Sequence, residues 1–253
     1  MTTRIDGRSA DALRPISVSL GIQRNPEGSV VYRCGGTSVM IAASVNEGVP
    51  EWMKNQHRGW VTADYAMHPR SGPDRQKNLG RRDRPDGRAS EIQRLIGRSL
   101  RAAVDLEKLG QRTIYIDCDV LDADGGTRTA SITGGMIALS LALDGLRKRG
   151  LVDAGVLRSK VAAISVGLLA DVATLDLCYT EDRDASVDLN VVAGLGGSLI
   201  EVQGTAEGAP IPRASFDAML DLALSSVPAL VAAQDAALAA AGVDVSRLLP
   251  RGS

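Results

Sequence analysis

Aromatic side chains are scarce in this 253-residue chain: two Trp, four Tyr and one Phe. Packing must therefore rely on Val, Leu, Ile and Ala. Net charge is almost absent too, at −1, so any grip on nucleic acid has to come from local segregation of charge. Cysteine is limited to Cys34, Cys118 and Cys178, an odd number without metal-type spacing, each in an apolar strand-like run. They read as buried thiols of a cytoplasmic protein. The amino terminus, MTTRIDGRSADALRP, lacks the apolar core of a signal peptide. The longest apolar run, Val161–Ala170, is too short to span a bilayer. No zinc-type cluster, Gly-x-x-x-x-Gly-Lys loop or Gly-x-Ser-x-Gly elbow is present, and His57 and His68 read as surface histidines.

What is present is ordinary for a soluble globular protein, with 44% hydrophobic and 23% charged residues. PISVSLGIQ, GSVVYRCG, TSVMIAASV and GWVTADYAM read as strands separated by Gly and Pro turns. A long stretch rich in Pro, Gly and Asp follows, from His68 to Arg88, of the kind that inside a compact domain is functional or disordered. Ser90 and Gln93 form a capping box for a helix expected to run to Gly110. TIYIDCDVL predicts a strand and RTASITGGMIALSLALDGLRKRG a second helix. KVAAISVGLL, ATLDLCYT, VDLNVVA and SLIEVQGT predict four more strands, and residues 213–242 a last helix with Pro228 as a kink or break. The order predicts an α+β fold, mixed sheets packed with helices, as one domain with two similar halves at about 15–150 and 160–242. The last six residues, LLPRGS, resemble a protease-site tag remnant.

The stretch DCDVLDADGGTRTASITGG raises the question of function. Gly125 and Gly126 permit a sharp turn with positive φ between strand and helix. Thr127 or Thr129 can cap that helix, whose first N–H groups and dipole form an anion site, and Arg128 adds a forked cation. An ordinary turn with a capping threonine and a surface arginine uses the same residues. Arg88 likewise precedes a helix start, so two glycine–arginine elements can converge on one phosphate. Glu181, Asp182, Asp184 and Asp188 gather between two strands, as hard oxygen ligands for Mg²⁺ or as an acidic turn. Residues 68–88 carry seven basic side chains against three acidic ones, an excess of four, as a footprint for a polyanion or as a solvated loop.

Taken together the chain resembles the ribonuclease PH family, bacterial phosphate-dependent 3′-exoribonucleases that trim tRNA precursors. The resemblance is carried by DGR…LRP, Ser44–Trp52, GWVTADYAMHPR, GRASEIQRLIGRSLRA, DCDVLDADGGTRTASITG, VAAISVG, DLCYTEDRDASVDLNVV and IEVQGTAEG, in family order over nearly the whole chain. It implies a ribosomal protein S5 domain 2-like fold and a hexameric ring made as a trimer of dimers. It implies phosphate binding by Arg88, Gly126, Thr127 and Arg128, with catalytic, Mg²⁺-associated Asp182 and Asp188. It implies tRNA binding by Arg70, Arg75 and Arg82. This sequence departs from the family at Asn78, where an arginine is expected; Asp74 and Asp83 dilute the loop further, so a reduced tRNA preference is expected. Three rival readings remain. A non-catalytic RNA-binding subunit of an exosome-like ring would lack part of the arginine, threonine and aspartate set. Polynucleotide phosphorylase needs a second core and RNA-binding modules. A small-molecule kinase needs a nucleotide loop that is not visible.

Overall fold

The computed structural model describes residues 4–75 and 87–250. Strands β1 (Ile16–Leu20), β2 (Gly28–Cys34) and β3 (Thr37–Glu47) form an antiparallel meander. Strand β4 (Trp60–Met67) leads through helix α1 (Gly87–Ala103) and the short helix α2 (Leu106–Leu109) to strand β5 (Arg112–Asp122). β5 pairs parallel to β4 and antiparallel to β3, giving the order β1-β2-β3-β5-β4. Helix α3 (Thr127–Lys148) then crosses to a second, antiparallel sheet. Its strands are β6 (Val161–Leu169), β7 (Val172–Leu175), β8 (Val187–Gly194) and β9 (Leu199–Ala206), in the order β7-β6-β8-β9. Helix α4 (Tyr179–Asp184) lies between β7 and β8, and α5 (Arg213–Ala240) follows β9. The fold is α+β, with mixed pairing confined to the first sheet.

Helix α3 is the centre of the molecule. It packs on β2, β3 and β5 on one side and on β6 on the other, and is buried almost all round. That explains why its sequence lacks an amphipathic stripe. Glycines permit this close approach: a Cβ on Gly28 of β2 would run into the Ala138 carbonyl oxygen of α3, and one on Gly134 would stand 2.5 Å from Ile41 Cδ1. β6 is buried on both faces: Val161 and Ala163 face the α3 core, while Ala162, Ile164, Val166 and Leu168 pack in a second cluster with α5. Thr133 of α3 exchanges two hydrogen bonds with the Ala163 backbone, and Gln234 of α5 donates to the Thr133 and Val161 carbonyls. The three elements are thus locked in register by buried polar groups whose partners are specified. By length and composition α3 and α5 could cross a membrane, but the α3 window is 89% buried within the protein.

Several boundaries differ from the sequence expectation. α1 starts at Gly87, so Ser90 lies inside its first turn, and Gln93 reaches across to Asp64 instead of back to a cap. The helix also stops early. Val104 leaves it to bridge Leu157, and the Asp105 carboxylate caps α2 by accepting from the Glu107 and Lys108 amides. ATLDLCYT is strand only to Leu175, and α5 runs unbroken past Pro228 because Met219, Ala223, Val227, Leu230 and Val231 are all held in the second cluster. Leu248 is fully buried and its carbonyl accepts the Gly155 and Leu157 amides, so the LLPRGS stretch begins inside the fold.

Candidate active site

A one-residue register shift between β3 and β5, at Leu121, bends the end of β5 toward the turn at residues 123–126. The two glycines of that turn are required. Gly125 has φ +77°, and a Cβ on it would lie 2.5 Å from the Leu177 carbonyl; Gly126 has φ +63°. Gly126 is the N-cap residue of α3, so neither threonine caps the helix as expected. The Thr127 hydroxyl is bonded to Tyr65 at 2.8 Å, and Thr129 donates to the Gly126 carbonyl at 2.9 Å. Among the described residues no side chain caps the first N–H groups of α3, which leaves them facing the cleft with the positive end of the helix dipole behind them.

The turn is braced from below. The buried Arg14 guanidinium donates twice to Asp176 Oδ1 and to the carbonyls of Asp124 and Gly125; Asp176 Oδ2 accepts the Arg14 amide. No local pattern in the sequence marks this pair, because the two residues are 162 positions apart.

The expected phosphate residues converge. Arg88, Gly126, Thr127 and Arg128 line one cleft of about 380 Å³, together with Asp182 and Asp188. The electrostatics agree with the geometry. Burial raises the Tyr65 phenol, while Thr127 and the charges of Arg88 and Arg128 pull the other way. Burial also raises Asp182, and the charge of Asp188 adds to it, against Arg128 and Arg88. Each of these groups therefore feels both arginines.

The four acidic residues of the 181–188 stretch divide. Because α4 is helical, Glu181 and Asp182 point to different sides. Glu181 is buried and paired with Arg4, and Asp184 is exposed and paired with Arg183. Only Asp182 and Asp188 reach the cleft. Asn190, two residues along β8 and on the same face, donates to Asp188 Oδ2 at 3.0 Å. The strand period of two could have identified it. Buried Ser165 and half-exposed Tyr179 also line the cleft. Among the described residues no group of three or more His, Cys, Asp or Glu could hold a metal ion. Two carboxylates facing substrate phosphates nevertheless fit Mg²⁺, which keeps several waters and takes one or two protein carboxylates. The like charges of Asp182 and Asp188 are what such a cation neutralises.

Arg70 and Arg75 are exposed on the segment after β4, whose Gly72, Pro73 and Asp74 form part of the cleft rim. Arg82, with Asn78 and Asp83, lies outside the described residues. His57 and His68 are exposed. A larger groove, about 600 Å³, runs over the outer face of the first sheet. Asp64, Asp117 and Asp119 line it without an arginine, so it repels phosphate and is not the anion site.

The model of the 3′ exoribonuclease family, domain 1, matches residues 12–143, and that of domain 2 matches residues 160–226. The phosphate residues fall in the first match and the aspartates in the second. Ribonuclease PH of Mycolicibacterium gilvum (strain PYR-GCK) is 51% identical over 239 residues, 94% of this chain and 92% of that protein. Among solved structures, rice (Oryza sativa) Rrp46 aligns with a TM-score of 0.76 at 18% identity, over 93% of this chain and 100% of that one. The Archaeoglobus fulgidus exosome with RNA bound to the active site aligns with a TM-score of 0.74 at 22% identity, over 90% and 91%. At these identities the two structures speak for the fold alone.

Proposed function

The chain belongs to the ribonuclease PH family of 3′ exoribonucleases, and from that premise we propose how its cleft carries out phosphorolysis. It is a phosphate-dependent 3′-to-5′ exoribonuclease. Inorganic phosphate, the co-substrate, sits at the amino end of α3 against the Gly126–Thr127 backbone, between Arg88 and Arg128. One phosphate oxygen attacks the phosphorus of the terminal phosphodiester. A new P–O–P bond forms, the bond to the 3′ oxygen of the preceding nucleotide breaks, and that oxygen takes up a proton. The products are a nucleoside 5′-diphosphate and an RNA one nucleotide shorter. A phosphodiester is exchanged for a phosphoanhydride, so the reaction runs readily in both directions.

Bringing one anion onto another demands positioning and positive charge. Arg88 and Arg128 supply that charge, and the α3 dipole adds to it. Asp182 and Asp188 hold Mg²⁺ in this reading; bound there, the ion supplies Lewis-acid neutralisation of the phosphodiester. Asn190 keeps the Asp188 carboxylate turned to the cleft. Arg70, Arg75 and Arg82 bind the backbone of tRNA precursors, the proposed physiological substrate, and the chain works as a homo-oligomer, a hexameric trimer of dimers. The three buried free thiols are compatible with a reducing cytoplasm.

The observation that carries the reading is the convergence of Arg88, the Gly126–Arg128 turn, Asp182 and Asp188 on one cleft. A non-catalytic ring subunit has no use for that set. The test is RNA with a defined 3′ end, incubated with and without phosphate. Nucleoside 5′-diphosphates appearing only with phosphate are expected; nucleoside monophosphates, or no product, would overturn it.

A further inference from the structure

We infer that Tyr179 is the stacking platform for the base of the 3′-terminal nucleotide, a nucleobase subsite beside the phosphate site. The inference rests on the phosphorolytic reading and adds to it the wall that holds the nucleoside.

Tyr179 is the first residue of α4. Tyr179 is 50% exposed, more than the other tyrosines: Tyr32 and Tyr65 are buried and Tyr115 is partly buried. Among the described residues it is the one aromatic side chain lining the cleft, and it also borders an adjoining recess of about 330 Å³ with Arg88, Arg128, Asp182 and Asp188. The aromatic and cation–π contacts found among the described residues involve Trp52, Trp60 and Arg101, so the Tyr179 ring face is unstacked.

The backbone that carries the ring is held in place. The Tyr179 amide donates to Asp124 Oδ1 at 3.1 Å, which ties α4 to the phosphate turn. A Cβ on Gly125 would meet the Leu177 carbonyl at 2.5 Å and the Tyr179 nitrogen at 3.1 Å, so turn and helix are in close contact. One position back, the Cys178 amide donates to Glu181, which Arg4 fixes in turn. An exposed aromatic ring on a backbone anchored in this way is available to a flat partner.

Reaction geometry supplies that partner. The scissile phosphorus must lie between the amino end of α3 and the two carboxylates. The departing nucleoside hangs from that phosphorus through its own 5′ oxygen, so its base falls within one nucleotide's reach of the cleft wall. Tyr179 is the flat apolar surface there. Stacking suits the task, because every base has a π-face and an enzyme that removes successive nucleotides must accept all four.

The test uses a short single-stranded RNA ending in 2-aminopurine ribonucleotide, whose fluorescence is quenched by stacking, and the same RNA with an abasic 3′ end. Base–aromatic stacking of about 1–3 kcal/mol per base corresponds to about 5- to 150-fold in affinity. Tyr179→Ala is expected to abolish the quench and weaken binding of the base-bearing RNA by that factor. Binding of the abasic RNA and the KM for phosphate should not change, and Tyr179→Phe should behave as wild type. The side chain is half exposed, so folding is not at stake; a thermal melt checks this. If Tyr179→Ala quenches 2-aminopurine like wild type, or weakens the abasic RNA as much as the normal one, the stacking assignment is wrong. Release of nucleoside diphosphate by wild type is a separate control. Its failure would overturn the phosphorolytic reading, while the fluorescence comparison still decides on Tyr179.

Discussion

Arg4 grips the carboxylate of Glu181 with two hydrogen bonds, at 2.8 and 2.6 Å, across 177 positions of chain. Both side chains are buried, 4% and 7% exposed. The same guanidinium donates to the carbonyls of Leu175 and Asp176. The amino-terminal segment is therefore a brace. Arg14, anchored by Asp176, fixes the turn at residues 123–126, and Arg4 fixes the helix that carries Asp182. Removing one partner of a buried pair leaves an uncompensated charge, about 3–5 kcal/mol. For a chain of this size that predicts a Tm lower by about 6–20 °C in Arg4→Ala or Glu181→Gln. The double variant should lose less than the sum, which thermal unfolding of all four proteins measures. Additive losses would mean that the two side chains do not act as a pair.

Arg128→Ala and Arg88→Ala each remove a charged donor from the phosphate. A hydrogen bond to a charged group contributes about 1.5–3 kcal/mol, or about 10- to 150-fold in rate at low phosphate. RNA binding should largely survive. Steady-state kinetics against phosphate concentration is the check, and full activity of either variant at low phosphate would remove that arginine from the site.

Asp182→Asn and Asp188→Asn keep the shape and remove a charge. We predict a fall of about 10²–10³-fold at every phosphate concentration, the scale of one electrostatic group lost at a reacting centre. Added Mg²⁺ should restore part of it. Titration of Mg²⁺ against activity is the measurement; a variant with unchanged rate and unchanged Mg²⁺ dependence would return the pair to a purely local acidic turn.

Asp144 offers a test of stability away from the cleft. Burial raises its carboxyl, but Lys148 and Arg147 outweigh burial and hold it below the usual aspartate value of 3.8. A carboxylate with a depressed folded value stabilises above the unfolded value, and the contribution disappears as pH falls through the folded one. Wild type should therefore lose more Tm than Asp144→Asn between pH 5 and about pH 3, with activity near neutral pH alike in both. Parallel melting curves over that range would remove Asp144 as a source of acid sensitivity.

The strands were legible because β-branched runs stood between glycine and proline turns, and Arg88 and the Gly126–Arg128 turn because they sit at chain punctuation, directly at helix starts. Other features left no local trace. α4 is six residues long, too short for a periodicity, so Glu181 and Asp182 read as one acidic cluster although they point to different sides. Ser90 and Gln93 match a capping box in spacing, yet Gln93 is taken by Asp64 from another strand. Arg14 with Asp176, and Arg4 with Glu181, are pairings that only the folded chain creates. The residues expected at the cleft were readable, and those that brace it were not.

The basic segment separates binding from chemistry. Arg70 and Arg75 stand exposed where the segment leaves the rim of the cleft, and Arg82 belongs to the same stretch of sequence. Each arginine neutralising an RNA phosphate releases counterions, so each one lost should lower the log–log salt slope of binding by about one unit or less. Changing all three to Ala is expected to weaken binding of a structured tRNA precursor strongly. A short single-stranded RNA reaches Arg88, Arg128 and the aspartates without spanning this segment, so its turnover should hardly change. The opposite pattern, short RNA lost and tRNA kept, would place these arginines at the catalytic centre and contradict the assignment. Asn78 in place of an expected arginine, with Asp74 and Asp83 nearby, sets the wild-type baseline. The tRNA preference over short RNA should be modest already, and Asn78→Arg should raise it and steepen the salt dependence, while the KM for phosphate stays the same.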